Sequence, residues 1–401
     1  MNMMKKIMLL VGIHYLLPVI KAAHEQGYYV ITADNVPDNV AHKYSDEFCN
    51  VSIVDKDAVL AEAKKRNIDG IISFGVDPGV MSAAYVQEQL HLPQMGPYKS
   101  VCILQNKDLF RAFLRDNGFN VPQARGYASM EEALSDTDWL HWPMIVKPTD
   151  SAGSKGVTRV DSIENYQSAL TEAFSKSISG HVIVEEFIDK VGCSSDTDSF
   201  LLDGKLVFVS FNAQRFDIDA ANPYTPAAYS WPSTFPEHEA YLTSELQRLM
   251  TLLQMQTSVF NIETRVASNG KPYIMECTPR GGGNRLCEML RYATGVDMIT
   301  AQVRAAVGDS TEALCQKPYN GYWAEIILHA DKNGAFQGLT ISDSLRAKVV
   351  EKDLWVKEGD YVNAFNGAND AIGTLVLQFN TQHDLEHALT SQREWLTIHV
   401  V

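Results

Sequence analysis

Residues 145–157 read IVKPTDSAGSKGV: Lys147 closes an apolar run, small or polar residues follow, and Lys155 precedes Gly156. Large side chains are missing over Ser151, Ala152, Gly153, Ser154 and Gly156. Several backbone N–H groups can therefore point at one anion, and Gly153 and Gly156 can take the positive φ such a turn needs. That suits a phosphate. The order is not GxxxxGK[ST], and the strand-like GVTRV follows where a Walker loop needs a helix start. The stretch reads either as a hairpin flap over phosphates or as a solvated surface hairpin.

A second candidate lies at VFNIETRVASNGKPYIMECT, residues 259–278. Asn269-Gly270 is a strong two-residue turn signal of type I′. With Ser268 facing Lys271, Pro272 falls opposite Ala267, where a missing N–H breaks no ladder bond. Glu263 then faces Glu276, with Cβ atoms ~5 Å apart. Ile262, Val266, Tyr273, Met275 and Cys277 fall on the other face, so the two acids share theirs with Arg265 and Thr278. Two carboxylates so close repel and call for a cation between them. A hard divalent ion such as Mg²⁺ fits, and so does neutralisation by Arg265 or Arg280. Asp196 and Asp198 begin like a calcium loop, but Phe200 and Leu201 stand at the next ligand and glycine positions.

Bulk properties bound the rest. A chain of 401 residues, 45% apolar, can bury a large core and divides into several domains of ~100–200 residues. With 34 Lys+Arg against 49 Asp+Glu, the formal charge of −15 repels nucleic-acid phosphates and anionic lipid. Six cysteines are scattered without CxxC or Cys/His pairing, which argues for a reducing, cytoplasmic compartment. The basic, apolar start MNMMKKIMLLVGIHYLLPVI resembles a signal peptide, but KIMLLVG is strand length, Gly12 breaks it and helical spacing follows. No run approaches the ~18 apolar residues of a membrane span.

The elements that must position these residues can be read coarsely. Residues 1–95 alternate strand and helix (KIMLLVG, a helix to Gln26, YYVITAD, DAVLAEAKKRN, DGIISFGVD), the pattern of a parallel-sheet α/β domain. Asp34 sits where a dinucleotide-binding fold keeps its ribose acid, but the first turn offers one glycine where the fingerprint needs three, so NAD is rejected. Residues 96–180 hold connector helices and an α+β stretch with the glycine loop. Residues 181–308 hold VIVEEFI, the strands SFLLDG and KLVFVSFNAQ, a helix around AYLTSELQRLMTLLQ and the two-glutamate hairpin. Residues 309–401 are β-rich.

Taken in order, a connector lysine, a strand-end lysine with a glycine flap, VIVEEFI and a two-glutamate hairpin ending in Arg280 resemble the ATP-grasp superfamily over about residues 1–310. The resemblance implies an ATP-grasp fold behind a Rossmann-like N-terminal domain. Lys107, in NKDLFRAFLRDNGFNVP, is similar to the family's first ATP lysine, and Lys147 to its second, on the α/β-phosphates. Ser151, Gly153, Ser154 and Gly156 are similar to its flap. In VIVEEFI, Glu185 would accept from the adenine amino group and the Ile188 backbone would pair with the ring, with Glu186 and Phe187 between them. Glu263 and Glu276 match its Mg²⁺ ligands (Mn²⁺ as substitute), and Arg280 its acyl-phosphate arginine. Two motifs depart. Thr278 stands where an asparagine usually completes the metal shell, and Gly192-Cys193-Ser194-Ser195-Asp196-Thr197-Asp198 lacks the glutamate of its motif, leaving the ribose contact unassigned.

The N-terminal domain, the β-rich appendage and IMECTPRGGGN are similar to the branch of carbamoyl phosphate synthase and biotin carboxylase, above all to stand-alone carboxylate–amine ligases. The resemblance implies an ADP-forming ligase in which ATP phosphorylates a carboxylate and an amine attacks the acyl phosphate. Arg265 and Arg285 are candidate contacts for substrate carboxylates and Asp77 for an amine. Small molecules and a second copy of the chain are the expected partners. A synthase or carboxylase subunit working with partner chains, or a non-catalytic nucleotide-binding regulator, are the alternatives.

Overall fold

A computed structural model describes residues 4–150, 155–311 and 314–401. Strands β1 (Lys6–Leu10), β2 (Tyr29–Asp34), β3 (Glu47–Asn50) and β4 (Gly70–Ser73) pair in parallel in the order β3-β2-β1-β4. Ile7 to Leu10 are fully buried, as a strand between two helical layers requires. Asp34 accepts from the N–H groups of Asn35 and Val36 and from the Asn39 amide, which shapes its own loop.

The connector folds as helices Tyr98–Gln105 and Lys107–Asp116. An antiparallel sheet follows, made of β5 (Ala124–Tyr127), β6 (Met144–Pro148), β7 (Thr158–Val160) and β8 (Val182–Glu186) in the order β5-β8-β6-β7. The helix Tyr166–Lys176 backs it and closes a separate small core with Val146, Val160 and Val184. Strands β9 (Ser195–Leu202) and β10 (Lys205–Phe208) join the later β13 (Ser258–Val266) and β14 (Pro272–Thr278) in the order β10-β9-β13-β14.

KLVFVSFNAQ, expected as one strand, is divided between two sheets. Chain pairing with β9 ends at Phe208, and β11 (Ala213–Phe216) belongs to the next sheet. Asn212 makes the break possible: its amide accepts from the Asp196 N–H (2.8 Å) and donates to the Asp196 carbonyl (2.7 Å), replacing ladder bonds with side-chain ones. The next sheet has the order β11-β12-β15-β19-β17, with β12 (Pro226–Trp231), β15 (Tyr322–His329), β17 (Val349–Leu354) and β19 (Ala371–Phe379). Short strands β16 (Gly334–Ile341), β18 (Tyr361–Val362) and β20 (Leu396–Val400) complete the C-terminal part. Among the described residues no helix is long and apolar enough to cross a membrane.

The β13–β14 hairpin corrects the expected turn. Ala267 N–H donates to the Lys271 carbonyl and Gly270 N–H to the Ala267 carbonyl, both at 2.9 Å. Gly270 has φ +78° and Asn269 stays outside the positive-φ region, so the loop is Ser268-Asn269-Gly270, a three-residue connection, rather than a type I′ turn. The Ser268 N–H is drawn away to the Asp189 carbonyl (2.8 Å). Near the turn the register is therefore one residue off expectation: Val266 pairs with Pro272, Arg265 with Tyr273 and Thr264 with Ile274. A bulge then leaves Met275 unpaired and returns Glu263 to Glu276. It also divides the apolar face: Ile262, Ile274 and Cys277 enter the main core, whereas Tyr273 and Met275 pack on Ile188 and Ala267.

Candidate active site

Pairing of β9, β13 and β14 lays side chains out in rows. Asp196, Glu263 and Glu276 form one row, and two residues along Asp198, Asn261 and Thr278 form the next. Glu263 pairs with Arg265 (3.2 Å) and Glu276 with Lys107 (3.3 Å). Burial would raise the Glu276 carboxyl, but Lys107, Lys147 and Arg111 outweigh it and hold it below the usual range. Burial, with the Glu263 charge beside it, pushes Asp196 up to about 7. Burial likewise pushes Asp198 to about 6. The Asn261 amide donates to both aspartates (2.9 and 3.2 Å) and its oxygen accepts from Arg280 (3.0 Å).

The cations come from two other elements. Lys107 is the first residue of its helix and Arg111 follows one turn later, so both project from one side. Arg111 is buried and joins two sheets: Nε donates to Glu185 on β8 (2.9 Å) and Nη1 to the Met275 carbonyl at the bulge (2.7 Å). Its Nη2 is buried with no hydrogen-bond partner. Lys147, at the end of β6, donates to the second oxygen of Glu185, its diagonal neighbour across the β6–β8 pair. Burial pulls the Lys147 ammonium below its ordinary range, with Glu185 opposing and Arg111 and Lys107 adding to it. For Lys107 burial also works against the charge, but Glu276 and Asp77 outweigh it and raise the group.

The remaining candidates divide. Arg280 donates through Nε (2.9 Å) and Nη2 (2.6 Å) to Asp77 Oδ1, which fixes the N-terminal domain to the hairpin end and occupies Asp77 with an arginine. Arg285 turns to the C-terminal side, toward Glu288 (3.1 Å), Glu351 (2.5 Å) and Thr374 (2.9 Å). The Phe187 N–H is taken by the Pro143 carbonyl (3.2 Å), and exposed Glu186 accepts from the Gln123 N–H (3.3 Å). Ser151, Gly153 and Ser154 lie outside the described residues; Gly156 has φ +72° and packs against Pro148 and Lys176. Arg111 and Asn261 drew no site role from the sequence, and Asp196 and Asp198 were set aside there with the calcium-loop pattern. Helical spacing from Lys107 and the row through Thr278 and Glu276 were the signals that would have found them.

A carboxylate row on one sheet, with two lysines brought onto it by a connector helix and a lid strand, is the layout of the ATP-grasp fold. The chain carries an ATP-grasp domain: residues 140–288 match the family of that description. Beyond it, the chain is similar to the carbamoyl phosphate synthase large chain of Clostridium perfringens (strain SM101 / Type A), 23% identical over 304 residues. That alignment takes in 74% of this chain and only 27% of the relative's length. Among solved structures, the L-amino acid ligase of Bacillus licheniformis superposes with TM-score 0.82 at 18% identity, over 99% of both chains. The biotin carboxylase domain dimer of the Hydrogenobacter thermophilus 2-oxoglutarate carboxylase, in complex with MgADP, ADP and bicarbonate, gives TM-score 0.76 at 17% identity, over 100% of this chain and 92% of that one.

Proposed function

We propose that the protein is an ADP-forming ligase that uses ATP to activate a carboxylate as an acyl phosphate and joins it to an amine. The observation that carries this reading is that Lys107 pairs with Glu276, which faces Glu263 across the hairpin, while Lys147 and Arg111 converge on Glu185 near enough for their charges to act on the Glu276 carboxylate. Buried cations fit the phosphates of ATP, and the unpartnered Arg111 Nη2 leaves a donor for an acceptor that the protein itself does not supply. Glu263, Glu276 and the Thr278 hydroxyl are hard oxygen donors, a set that fits Mg²⁺ or Mn²⁺. Bound there, such an ion neutralises charge on the transferring phosphoryl group.

The chain's own residues then have defined tasks. Lys107 and Lys147 bind phosphate oxygens and offset the charge that develops on them. Glu185 keeps Lys147 and Arg111 oriented, its carboxylate committed to both, so adenine recognition falls to the backbone following β8. Arg280, held by Asp77, positions the acyl phosphate. A substrate carboxylate oxygen bonds to the γ-phosphorus as the bond to ADP breaks; the amine bonds to the acyl carbon as phosphate leaves, and the amine proton goes to solvent. No protein nucleophile takes part, and rate comes from positioning and charge.

Small carboxylates and amines are the proposed partners, the biotin carboxylase dimer is the precedent for pairing of two copies, and free thiols at all six cysteines accord with a cytoplasmic setting. The test is ADP and phosphate release from MgATP with pools of carboxylates and amines. One pair stimulating release over a substrate-free blank is the expected result. Release that no pool raises, with ATP binding intact by calorimetry, contradicts the ligase and supports a nucleotide-binding regulator.

A further inference from the structure

Arg280 is engaged by the protein on both of its sides. Nε and Nη2 donate to Asp77 Oδ1 (2.9 and 2.6 Å), and Nη1 donates to the Asn261 amide oxygen (3.0 Å) and to the Gly281 carbonyl (3.1 Å). Of the N–H groups of a guanidinium, that leaves a single one, on Nη2. Nε and Nη2 form an edge with which an arginine takes an oxyanion through two parallel bonds. On that edge stands Asp77, a carboxylate from the N-terminal domain. An acyl phosphate gripped by two bonds there has no room on Arg280 while Asp77 stays.

Asp77 is placed to leave. It lies in the turn 74–79 between β4 and the helix Val80–Gln89, and its side chain is 30% exposed against 10% for Arg280. Both bonds from Arg280 end on the same Asp77 oxygen, so the pair lacks the two-oxygen fork that makes arginine–carboxylate contacts strong. The backbone of the turn is held independently: Gly75 N–H donates to the Gly281 carbonyl (3.0 Å) and Val80 N–H to the Asp77 carbonyl (2.9 Å). A change of side-chain rotamer therefore carries the carboxylate into water without moving the turn. Arg280 keeps both Nη1 bonds through such a change and stays aimed at the freed position.

We propose that Asp77 is a built-in competitor for the substrate oxyanion, holding the Nε/Nη2 edge of Arg280 until the substrate carboxylate, and then its acyl phosphate, takes that edge. This rests on the ligase reading given above. A site that is open only part of the time binds with an affinity reduced by the open fraction, so Asp77 sets how tightly the carboxylate is held and keeps Arg280 from retaining free phosphate. A residue that merely oriented Arg280 would act in the opposite sense, because its removal would loosen the guanidinium and weaken the grip on any oxyanion.

The test is calorimetric titration of inorganic phosphate into the full chain with MgADP, for wild type, Asp77→Asn, and Asp77→Asn combined with Arg280→Met. The expected result is that D77N binds phosphate about 10-fold more tightly than wild type and that adding Arg280→Met removes the gain. Equal or weaker binding in D77N, no measurable binding in any of the three, or a gain that survives Arg280→Met overturns the proposal. Asp77→Ala carries the same expectation if D77N does not fold. In ADP release with the carboxylate that stimulates it, D77N should lower the carboxylate KM by about fivefold or more and keep kcat within about threefold of wild type. A fall in kcat at unchanged KM means that Asp77 only orients Arg280, and it overturns the proposal too. Absence of stimulated release with every carboxylate and amine overturns the ligase reading instead, and the phosphate titration then still decides whether Asp77 competes for Arg280.

Discussion

Arg111 and Glu185 hold the lid sheet and the acid sheet against each other through one buried ion pair (2.9 Å) that Lys147 extends to three charges. Replacing Glu185 with Gln leaves two buried cations short of an anion, and we expect a loss of ~3–5 kcal/mol in urea unfolding. Burial raises the Glu185 carboxyl, but Arg111 and Lys147 outweigh it and bring it to about 2, below the ordinary 4.5. Its contribution to stability is therefore complete above pH about 4.5 and is lost as pH falls through about 2. Urea midpoints measured from neutral pH down to pH 3 should fall more steeply in wild type than in E185Q; parallel curves would contradict this. Lys107, Lys147, Glu263, Glu276 and Arg280 were legible because their types recur in a fixed order. Arg111 was not, since an arginine on an amphipathic helix reads as solvated until the partner strand is known.

At the scale of elements, the hairpin shows how a correct contact can be reached through an incorrect turn. The three-residue loop displaces the register by one, and the bulge at Met275 displaces it back, so Glu263 and Glu276 meet as expected. The bulge has its own use, because the Met275 carbonyl it frees accepts from Arg111. The loop after β14 is equally constrained. A Cβ on Gly282 would come within 2.5 Å of Leu286, 2.8 Å of the Asn261 amide and 3.0 Å of Asp198. Its N–H also donates to the Asp198 carboxylate at 2.9 Å. Gly282→Ala should therefore lower kcat by ~10-fold or more with far-UV circular dichroism unchanged, the effect expected when catalytic groups shift by about 1 Å. Unchanged kcat would show that the loop does not set the position of Arg280. The division of KLVFVSFNAQ between two sheets was not legible, because it depends on Asn212 bonding to a residue of another strand.

Across the whole molecule, the α/β, α+β and β-rich succession could be read from hydrophobic periodicity, but the contacts that close the site join distant parts of the chain. Asp77 after β4 fixes Arg280, and a Cβ on Gly281 would collide with the Phe74 ring at 2.2 Å, so the N-terminal domain forms one wall of the site. No local pattern announces such pairs. If ATP with its metal ion binds between lid and acid sheet, it stabilises the folded protein by ~2.7 kcal/mol at a hundredfold excess over Kd. Thermal scans should show a rise in midpoint with MgATP for wild type, and a much smaller one for Glu276→Gln.

Phosphorylation of a carboxylate at the Glu263–Glu276 site is tested most directly by trapping the acyl phosphate. Wild-type protein, MgATP, hydroxylamine and an L-amino acid pool should yield hydroxamate in step with ADP, and Glu276→Gln should lower that yield by ~10²-fold or more. ADP formed with no hydroxamate, or hydroxamate undiminished in E276Q, would contradict the account.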